Sequence, residues 1–460
     1  MRNIIKEIET KYPVGEITVN GLQVWPYLRA HYFFQHRENR SSQEGERQSY
    51  TSPSSSRLML GTSSLYGVRN WFRKYDFVAI TSAGYRRLIE GTHFNRFLDP
   101  IIDEIGPDRV LLIESPGPSH YPIEQVHTKN IVSPGGLALA SWIAQKIVRK
   151  PLVENFPVLK AIQQEYGFEI PDMRLIEKFH IDRYFYKLMF RKLRPKIMFL
   201  TCYYGREAAI KAAHDLGIEV IEVQHGVIGK EHPAYNVNLD LDKSFFPDHL
   251  LVFGKKELDT FDNPRFINPT HVYPVGSFYI DYIKSSFQPD PTLFDQLRHY
   301  RRTVGVTLQL SAEKRLMDFI SEAASLDKSI FYIIIPRVLD SYLNSFNLPE
   351  NVTITKDHNF YEIMMYVDFH STISSTCALE APSLGVQNIL VNIDNESRRY
   401  YETVLCDSRI TRYVDTTEEY VETIRTFPKV ERETVSCLNE HIIARDYRHN
   451  IQAFLKSYLQ

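Results

Sequence analysis

A chain of 460 residues exceeds the roughly 250–300 residues at which a single hydrophobic core stops growing, so at least two domains are expected. The apolar content of 43%, the charged content of 24% and the formal charge of −2 exclude a disordered chain and a protein that mainly coats nucleic acid. Four scattered cysteines argue against a disulfide framework or a zinc site. No signal-like apolar core and no run of ~20 apolar residues is present, so a cytoplasmic location is expected.

The first 75 residues mix aromatic patches with a polar stretch. Residues 37–57 are rich in Ser, Gln, Glu and Arg. Such a composition buries little surface, which predicts a surface loop. We therefore expect an N-terminal extension over residues 1–75.

From residue 76 onwards, strand patterns alternate with helix patterns, which predicts a parallel α/β sheet. The predicted strands cover residues 76–82, 109–114, 196–201, 219–224 and 249–254, and the predicted helices cover residues 136–150, 176–193 and 206–216. A long loop over residues 83–100 is expected after the first strand, before a helix that begins at Ile101. The first domain is predicted to span residues 76–284.

A Pro-bearing segment, residues 285–295, is typical of a linker. A second α/β series is predicted over residues 296–430, followed by a C-terminal helix within residues 431–460. Its predicted strands cover residues 303–308, 330–335, 352–355 and 388–392, and its predicted helices cover residues 312–324, 360–366, 416–426 and 432–459. Two such domains place a cleft between them, and ligands of parallel sheets bind beyond the carboxyl ends of the strands.

Residues 368–385 read as a strand, a turn and the start of a helix. The turn contains Ser374, Ser375 and Thr376, whose hydroxyls can cap the helix. Free N–H groups and the positive end of the helix dipole favour a phosphate there. One helical turn further on, Glu380 can accept hydrogen bonds from paired ribose hydroxyls. The alternative, an ordinary strand-to-helix connection with a Ser/Thr cap, remains open.

Three motifs together carry a resemblance to a known family. They are Glu222-Val223-Gln224-His225-Gly226, Pro274-Val275-Gly276-Ser277, and Ser374-Ser375-Thr376 with Glu380. In this order they resemble the bacterial GT-B fold glycosyltransferases of capsule and lipopolysaccharide biosynthesis, which are related to capsule polysaccharide transferases, polysialyltransferases and CDP-glycerol glycerophosphotransferases. The resemblance implies an α/β fold of two Rossmann-like domains that face a central cleft, with C-terminal helices.

The resemblance also implies a function and a donor site. It implies transfer of a sugar from a nucleotide-sugar donor to an oligosaccharide or lipid-linked acceptor. No cofactor is expected, and peripheral contact with the cytoplasmic face of the inner membrane is a separate expectation. The Ser/Thr turn would hold the donor phosphate and Glu380 the ribose. Many relatives carry a His-Pro pair where this chain has Ile335-Pro336-Arg337. Arg337 can hold phosphate oxygens through forked hydrogen bonds, which leaves the identity of the nucleotide open.

An inverting transfer needs a base for the acceptor hydroxyl and a positive group for the leaving phosphate. The loop over residues 83–100 offers Glu90 and Asp99 as bases and Arg86, Arg87 and Arg96 as contacts to acceptor or phosphate. The competing interpretation of this loop is a lid that ion pairs between Asp99 and the arginines hold together. His225, at the end of a strand, is the rival base, or else a phosphate contact.

A bound metal is not expected. The chain has no HExxH or CxxC motif, and its only DxD triplet, Asp240-Leu241-Asp242, lies in a region without a strand pattern. In metal-dependent transferases such a pair can bind Mg²⁺. Here a surface loop is favoured, so catalysis without a metal is predicted.

Basic residues gather on the predicted helix 176–193 and just after it. They form either a solvated helix face or a contact with anionic lipid or an anionic polymer. The functional alternatives to a sugar transferase are a nucleotide-sugar epimerase of the same architecture, a glycerophosphate-type transferase and a non-catalytic glycan or nucleotide-binding module. Transfer from a labelled donor, with and without acceptor, separates them.

Overall fold

The computed structural model describes residues 4–43, 63–117, 119–229, 232–261, 264–286, 288, 295, 297–339 and 341–459, excluding the side chains of residues 37–43 and 311. Two fully parallel sheets form the centres of two domains. This architecture confirms the predicted pair of Rossmann-like α/β domains. None of the helices in these ranges is long and apolar enough to cross a membrane.

The N-terminal segment belongs to the core of the first domain. It consists of α1 (Ile4–Lys11), β1 (Thr18–Val19), β2 (Leu22–Gln23) and α2 (Trp25–Gln43). Ile8, Trp25 and Leu28 are fully buried in the same cluster as Met198 and Leu200 of the sheet. The helix continues to Gln43, so the loop predicted from residue 37 is wrong for residues 37–43, because a helix once nucleated gains one hydrogen bond for each residue added. Residues 44–57 of that prediction lie outside the described residues.

The first domain continues as a seven-stranded sheet. In chain order its elements are β3 (Phe77–Ser82), β4 (Arg86–Ile89), β5 (Thr92–Asn95), α3 (Asp99–Ile105), β6 (Val110–Ser115), β7 (Ile131–Val132), α4 (Gly135–Ala144), α5 (Phe156–Tyr166), α6 (Asp172–Leu193), β8 (Ile197–Thr201), α7 (Glu207–His214), β9 (Glu219–Val223), β10 (His249–Val252), β11 (Val272–Pro274) and α8 (Phe278–Ser286). The strand order is β11-β10-β9-β8-β3-β6-β7. Helices cover both faces, which is why the strands read as continuous apolar runs.

The second domain contains a six-stranded parallel sheet. In chain order its elements are β12 (Arg302–Thr307), α9 (Glu313–Leu326), β13 (Ile330–Ile335), β14 (Val352–Ile354), α10 (Phe360–Met364), β15 (Phe369–Ser371), α11 (Cys377–Ser383), β16 (Gln387–Val391), α12 (Glu396–Tyr401), β17 (Thr411–Val414), α13 (Thr417–Thr426) and α14 (Arg432–Leu438). The last helix of the chain, α15 (Tyr447–Leu455), packs on the first domain. The strand order is β14-β13-β12-β15-β16-β17. The order reverses between β12 and β15, and such a switch point opens a ligand crevice at the carboxyl ends of the strands.

The chain finally returns to the first domain. Tyr447, Ile451 and Leu455 of α15 are buried in the same cluster as Phe77 of β3. The single helix predicted over residues 432–459 is therefore wrong, because the chain crosses between domains over residues 439–446. Residues 287, 289–294 and 296, which include most of the predicted linker, lie outside the described residues.

The crossing segment explains the glycine of the Pro274-Val275-Gly276-Ser277 motif. Gly276 has φ +89°, and a Cβ there would lie 2.2 Å from the Ala444 carbonyl oxygen. Gly254 is equally restricted, since its Cβ would lie 2.3 Å from the Ile442 carbonyl oxygen. Any larger side chain at either position would push the returning chain off the first sheet.

Candidate functional site

The segment predicted as a long loop over residues 83–100 folds as an antiparallel hairpin, β4 and β5, and then as the first residues of α3. Glu90 and Gly91 form its two-residue turn with φ of +48° and +77°, the left-handed pair that tight hairpins require. The local sequence signal for this turn is Gly91, since glycine adopts a positive φ without strain. Glu90 lies exposed at the tip, and Ile89 packs against the core cluster of the second domain.

Under the hairpin lies a closed cluster of charges, which we call the buried ion cluster: Arg86, Asp99 and Glu114. The Arg86 side chain donates through Nε to Glu114 Oε2 at 2.8 Å and through Nη1 to Asp99 Oδ2 at 3.4 Å. All three side chains are 0% exposed. The structure thus contains the Asp99–arginine pairing expected of a lid held together internally.

One arginine serves two carboxyl groups in this cluster. Asp99 also accepts hydrogen bonds from the Asn95 N–H at 2.7 Å and the Thr128 hydroxyl at 2.6 Å, and these donors favour its charged form. Burial raises the pKa of both carboxyl groups against the pull of the Arg86 charge, and that of Glu114 reaches about 7. Oε1 of Glu114 has no partner among the described residues. Burial thus raises the pKa of both carboxyl groups, and the N–H and hydroxyl donors on Asp99 oppose that rise.

Arg96 reaches from the first domain to the second. Its Nη1 donates to the Tyr361 hydroxyl at 3.0 Å, and the Tyr361 hydroxyl donates to Glu380 Oε2 at 2.7 Å. Arg96 Nη1 also lies 3.7 Å from Glu380 Oε1. We call Arg96, Tyr361 and Glu380 the interdomain cluster. It brings together two residues that the sequence placed on opposite sides of the cleft.

His225 lies beside this cluster, after the end of β9. Its Nε2 is 3.3 Å from the Tyr204 hydroxyl, and its ring lies between the rings of Tyr85 and Tyr204, with centroids 5.8 and 5.9 Å away. Burial, aided by the positive charge of Arg96, lowers the pKa of His225 to about 4. The imidazole is thus neutral at pH 7 and able to accept a proton.

The remaining arginines behave differently. Arg87 is exposed and donates to the carbonyl oxygens of Gly84 and Arg86 within its own turn. Arg337 follows β13, is exposed, and forms no ion pair within the described part of the chain. It therefore remains available to a ligand at the carboxyl edge of the second sheet.

The Ser/Thr turn is tied to its neighbours. The Ser374 hydroxyl lies 2.8 Å from Gln309 Oε1 and 2.7 Å from Glu396 Oε1, and the Ser374 N–H also donates to Gln309. The Ser375 hydroxyl accepts from the Cys377 N–H at 3.3 Å, and Thr376 is exposed. Gln309, Glu396 and Tyr361 were missed by the sequence analysis, because no local pattern reveals which distant side chains approach a turn.

A small cavity lies at the carboxyl end of the first sheet, beside Arg96 of the interdomain cluster. Its volume is about 10 Å³, near the least that holds one water molecule, and Arg96, Gln224, Phe253 and Gly276 are among its lining residues. A nucleotide does not fit into such a space. Its entry at this point requires the interdomain cluster to open.

The described ranges contain no group of three or more His, Cys, Asp or Glu side chains that could hold a metal ion. Within the DxD triplet, Asp242 accepts from the Ser244 N–H and hydroxyl and so caps a turn. Asp240 is exposed and pairs with Arg265 at 3.3 Å. These contacts give the triplet a structural role, and metal-independent catalysis stays a prediction.

Comparisons with known proteins agree with this architecture. No protein-family model matches the chain, and no curated protein matches it. Among solved structures, similar ones include the UDP-GlcNAc 2-epimerase from Methanocaldococcus jannaschii, with a TM-score of 0.51, 14% identity and coverage of 83% of this chain and 99% of that one. The kitacinnamycin glycotransferase has a TM-score of 0.51 and 13% identity over 84% of this chain and 100% of its own.

A third similar structure is the spinosyn rhamnosyltransferase, with a TM-score of 0.51 and 12% identity over 83% of this chain and 100% of its own. At such identities the likeness concerns the fold alone. The predicted GT-B type fold is confirmed, and both transferases and epimerases use it.

Proposed function

We propose that this protein is a glycosyltransferase that moves a sugar from a nucleotide-activated donor to a growing bacterial surface glycan of the capsule or lipopolysaccharide type. In this proposal the transfer is inverting, requires no metal, and takes place in the cytoplasm with peripheral contact to the inner membrane. The observation that carries the proposal is the interdomain cluster, where Arg96 of one domain lies 3.7 Å from Glu380 of the other.

Glu380 and the Ser/Thr turn are proposed to hold the donor nucleotide. The turn follows β15, at the switch point of the second sheet, and ligands bind at such points in doubly wound sheets. The Glu380 carboxylate already accepts a hydroxyl hydrogen bond from Tyr361. A ribose hydroxyl is chemically equivalent to that donor, so it can replace the Tyr361 hydroxyl when the nucleotide enters. Arg337 can then contact the donor phosphates.

His225 is the base that the geometry supports best. It is neutral at pH 7 and partly buried. The charge of Arg96 lowers the basicity of the imidazole, and a donor phosphate paired with Arg96 would offset that charge. Asp99 is fully buried and already paired, while Glu90 stands at the exposed tip of the hairpin. Arg96 can stabilise the leaving phosphate, because the attraction between a guanidinium and a phosphate is stronger in a site without water than in water.

A nucleotide-sugar epimerase is the second candidate. Epimerisation requires proton transfer at the sugar, and the first domain contains a carboxyl group close to His225 in the chain, Glu222, whose pKa burial raises to about 8. Such a group can exchange protons at pH 7. A glycerophosphate-type transferase would use the same donor site.

Two measurements test the proposal. A thermal-shift screen of nucleotides identifies the donor class, because a bound ligand stabilises the fold by mass action. Transfer of label from that nucleotide sugar is then measured with and without oligosaccharide acceptor. Product only with acceptor supports the transferase, whereas a changed sugar without acceptor supports the epimerase. Binding without any turnover would leave a nucleotide-binding module.

A further inference from the structure

Two segments of the first domain leave large apolar side chains uncovered at the surface. In residues 63–75, Leu65 is 70% and Phe72 is 78% exposed. In residues 135–153, Ile147 is 79% and Leu152 is 84% exposed, and Val148 lies between them. Isolated exposed apolar residues are ordinary, but several on adjoining segments mark a contact surface.

The two segments adjoin each other and α6. Ser64 lies 3.6 Å from the position that a Cβ would take at Gly136, near the start of α4. Further along α4, the Ser141 hydroxyl donates to Asp182 Oδ1 of α6 at 2.5 Å. At the other end of α6, Lys192 Nζ lies 4.9 Å from the centroid of the Phe72 ring.

The exposed Tyr184 and Leu188 of α6 continue the same surface between these contacts. We call residues 63–75, residues 135–153 and the exposed side of α6 the apolar-basic face.

The charge of this face is one-sided. Neither residues 63–75 nor residues 135–153 contain an Asp or a Glu. Together the two segments contain six exposed cations, namely Arg69, Arg73, Lys74, Lys146, Arg149 and Lys150. The chain as a whole has a formal charge of −2, so the cations are concentrated here rather than spread over the surface.

The basic helix identified in the sequence contributes less than its composition predicts. Lys178 pairs with Asp182, and Arg183 and Lys187 both pair with Asp215. Lys178 is therefore balanced by one carboxylate, whereas Arg183, Lys187 and Lys211 share the single negative charge of Asp215. At the end of the helix, Arg191 and Lys192 are exposed, form no ion pair within the described residues, and add their charge to the face.

We propose that the apolar-basic face binds the surface of an anionic phospholipid bilayer. Exposed Ile, Leu and Phe side chains can enter the headgroup boundary while neighbouring Lys and Arg side chains contact lipid phosphates. A second copy of the chain would bring like charges together across the face. A protein partner fits less well, because the cores of protein interfaces are depleted of lysine. The lipid contact stands independently of the reaction that the cleft performs.

The contact would bring the first domain, which contains the proposed base His225, to the bilayer. This arrangement suits an acceptor whose reducing end is attached to a lipid, since only the distal sugar then has to reach the cleft. The sequence analysis considered a lipid contact through the basic helix alone. The proposed contact surface instead consists of three elements of the first domain.

The test is vesicle co-sedimentation of the full chain without donor or acceptor, so its outcome is separate from that of the transfer assay. Vesicles contain equal parts phosphatidylglycerol and phosphatidylcholine, or phosphatidylcholine alone. We expect binding to the anionic vesicles, weaker binding at high salt, and little binding to the neutral ones. The double variant Arg149→Glu and Lys150→Glu should weaken partitioning by at least about 30-fold. The double variant Ile147→Asn and Leu152→Asn should weaken it by at least about 10-fold.

Matched controls lie elsewhere on the molecule. Lys328→Glu with Lys456→Glu makes the same charge change at exposed positions of α9's end and of α15, and α15 packs on the opposite side of the first sheet from α6. Leu326→Asn changes an exposed leucine of the second domain. Both controls should bind as the unchanged protein does. Absence of binding to anionic vesicles, equal binding of all variants, or a dimer that the Ile147 and Leu152 changes dissociate would overturn the proposal.

Discussion

Two arginines of one hairpin, ten positions apart, have opposite surroundings. Arg86 is fully buried and serves two carboxyl groups of its own domain. Arg96 retains 16% of its side-chain exposure and contacts Tyr361 and Glu380 of the other domain. The buried ion cluster fixes the hairpin on the first sheet, whereas the interdomain cluster connects two bodies across a cleft.

The comparison shows that the surroundings of an arginine decide whether it stabilises the fold or can bind a ligand. A charge removed from water contributes stability only while its partners remain, so the buried ion cluster has no freedom to take a ligand. A partly exposed arginine between domains can exchange a protein partner for a ligand at lower cost. The interdomain cluster is therefore the one of the two that can respond to a nucleotide.

The largest expected effect is a loss of stability when the buried ion cluster is disrupted. Arg86→Ala leaves Asp99 and Glu114 buried without their cation, so the free energy of unfolding should fall by ~3–5 kcal/mol. Denaturant unfolding measures the change. Arg87→Ala is the matched control, because that neighbouring side chain is exposed and its loss should change stability by less than ~0.5 kcal/mol. Equal stability of the two variants would contradict the role of the buried ion cluster.

The next effect concerns turnover at the junction of the domains. His225→Ala should lower turnover by ~10²–10⁴, because the group that accepts the proton in the transition state is removed. Glu90→Gln is the control, since the exposed hairpin tip is expected to keep near-normal turnover. Calorimetry of donor binding to His225→Ala separates a base from a phosphate contact, because only the latter changes donor affinity. An inactive Glu90→Gln enzyme beside an active His225→Ala enzyme would reverse the assignment.

A smaller effect is expected for the donor pocket. Glu380→Ala should weaken nucleotide binding by at least ~10-fold, through the loss of hydrogen bonds worth ~1.5–3 kcal/mol each. Replacing Ser374 and Ser375 together by Ala should have a similar effect. Glu422→Ala removes an exposed carboxylate of the same domain and should bind nucleotide normally. Unchanged affinity in a folded Glu380→Ala protein would remove the pocket assignment.

Much of the fold could be predicted from the sequence because parallel strands that are covered on both faces leave continuous apolar runs. The strands β3, β6, β8, β9, β10, β12, β13 and β16 all lie within a few residues of their predicted positions. The hairpin was missed because β4 and β5 form a separate two-stranded sheet and contain arginine and histidine, which hide the strand pattern. Its Glu90-Gly91 turn was the one local signal.

The candidate site was only partly predictable for a physical reason. Glu380 and Arg96 were each singled out within a local pattern, but their contact depends on how two domains meet. Tyr361 lies between them on α10 and carries no signal of its own, since an aromatic residue in a helix usually belongs to a core. Likewise the sequence could not show that the Asp99 carboxylate already accepts hydrogen bonds from Arg86, Asn95 and Thr128.

The pH dependence of stability separates the two regions further. His225 has a folded-state pKa of about 4, below the usual value of 6.5, so the unfolded chain takes up its proton first and stability falls as the pH drops from 6.5 to 4. Glu114 has a folded-state pKa of about 7, above 4.5, so its contribution falls as the pH rises from 4.5 to 7. Each slope is at most ~1.4 kcal/mol per pH unit.

These slopes have opposite signs, and variants can separate them. His225→Gln should lessen the loss on the acid side, to which His120, His180 and His370 contribute in the same direction. Glu114→Gln should lessen the loss on approach to neutrality, to which Asp172 and Glu257 also contribute. Unfolding free energies measured from pH 4 to pH 7 for the three proteins test both statements. Parallel curves for a variant and the unchanged protein would show that the group titrates alike in the folded and unfolded chains.

The smallest expected effect is that of a chelator. Transfer activity should survive excess EDTA, because Asp242 is engaged in capping a turn and Asp240 pairs with Arg265, while Arg96 and Arg337 can supply positive charge to the donor phosphates. Addition of Mg²⁺ or Mn²⁺ should not raise turnover. The double variant Asp240→Asn and Asp242→Asn serves as the control and should remain active. If EDTA abolished activity and Mg²⁺ restored it in the unchanged protein but not in this variant, the triplet would be a metal site, and the charge of the interdomain cluster would not suffice for the leaving phosphate.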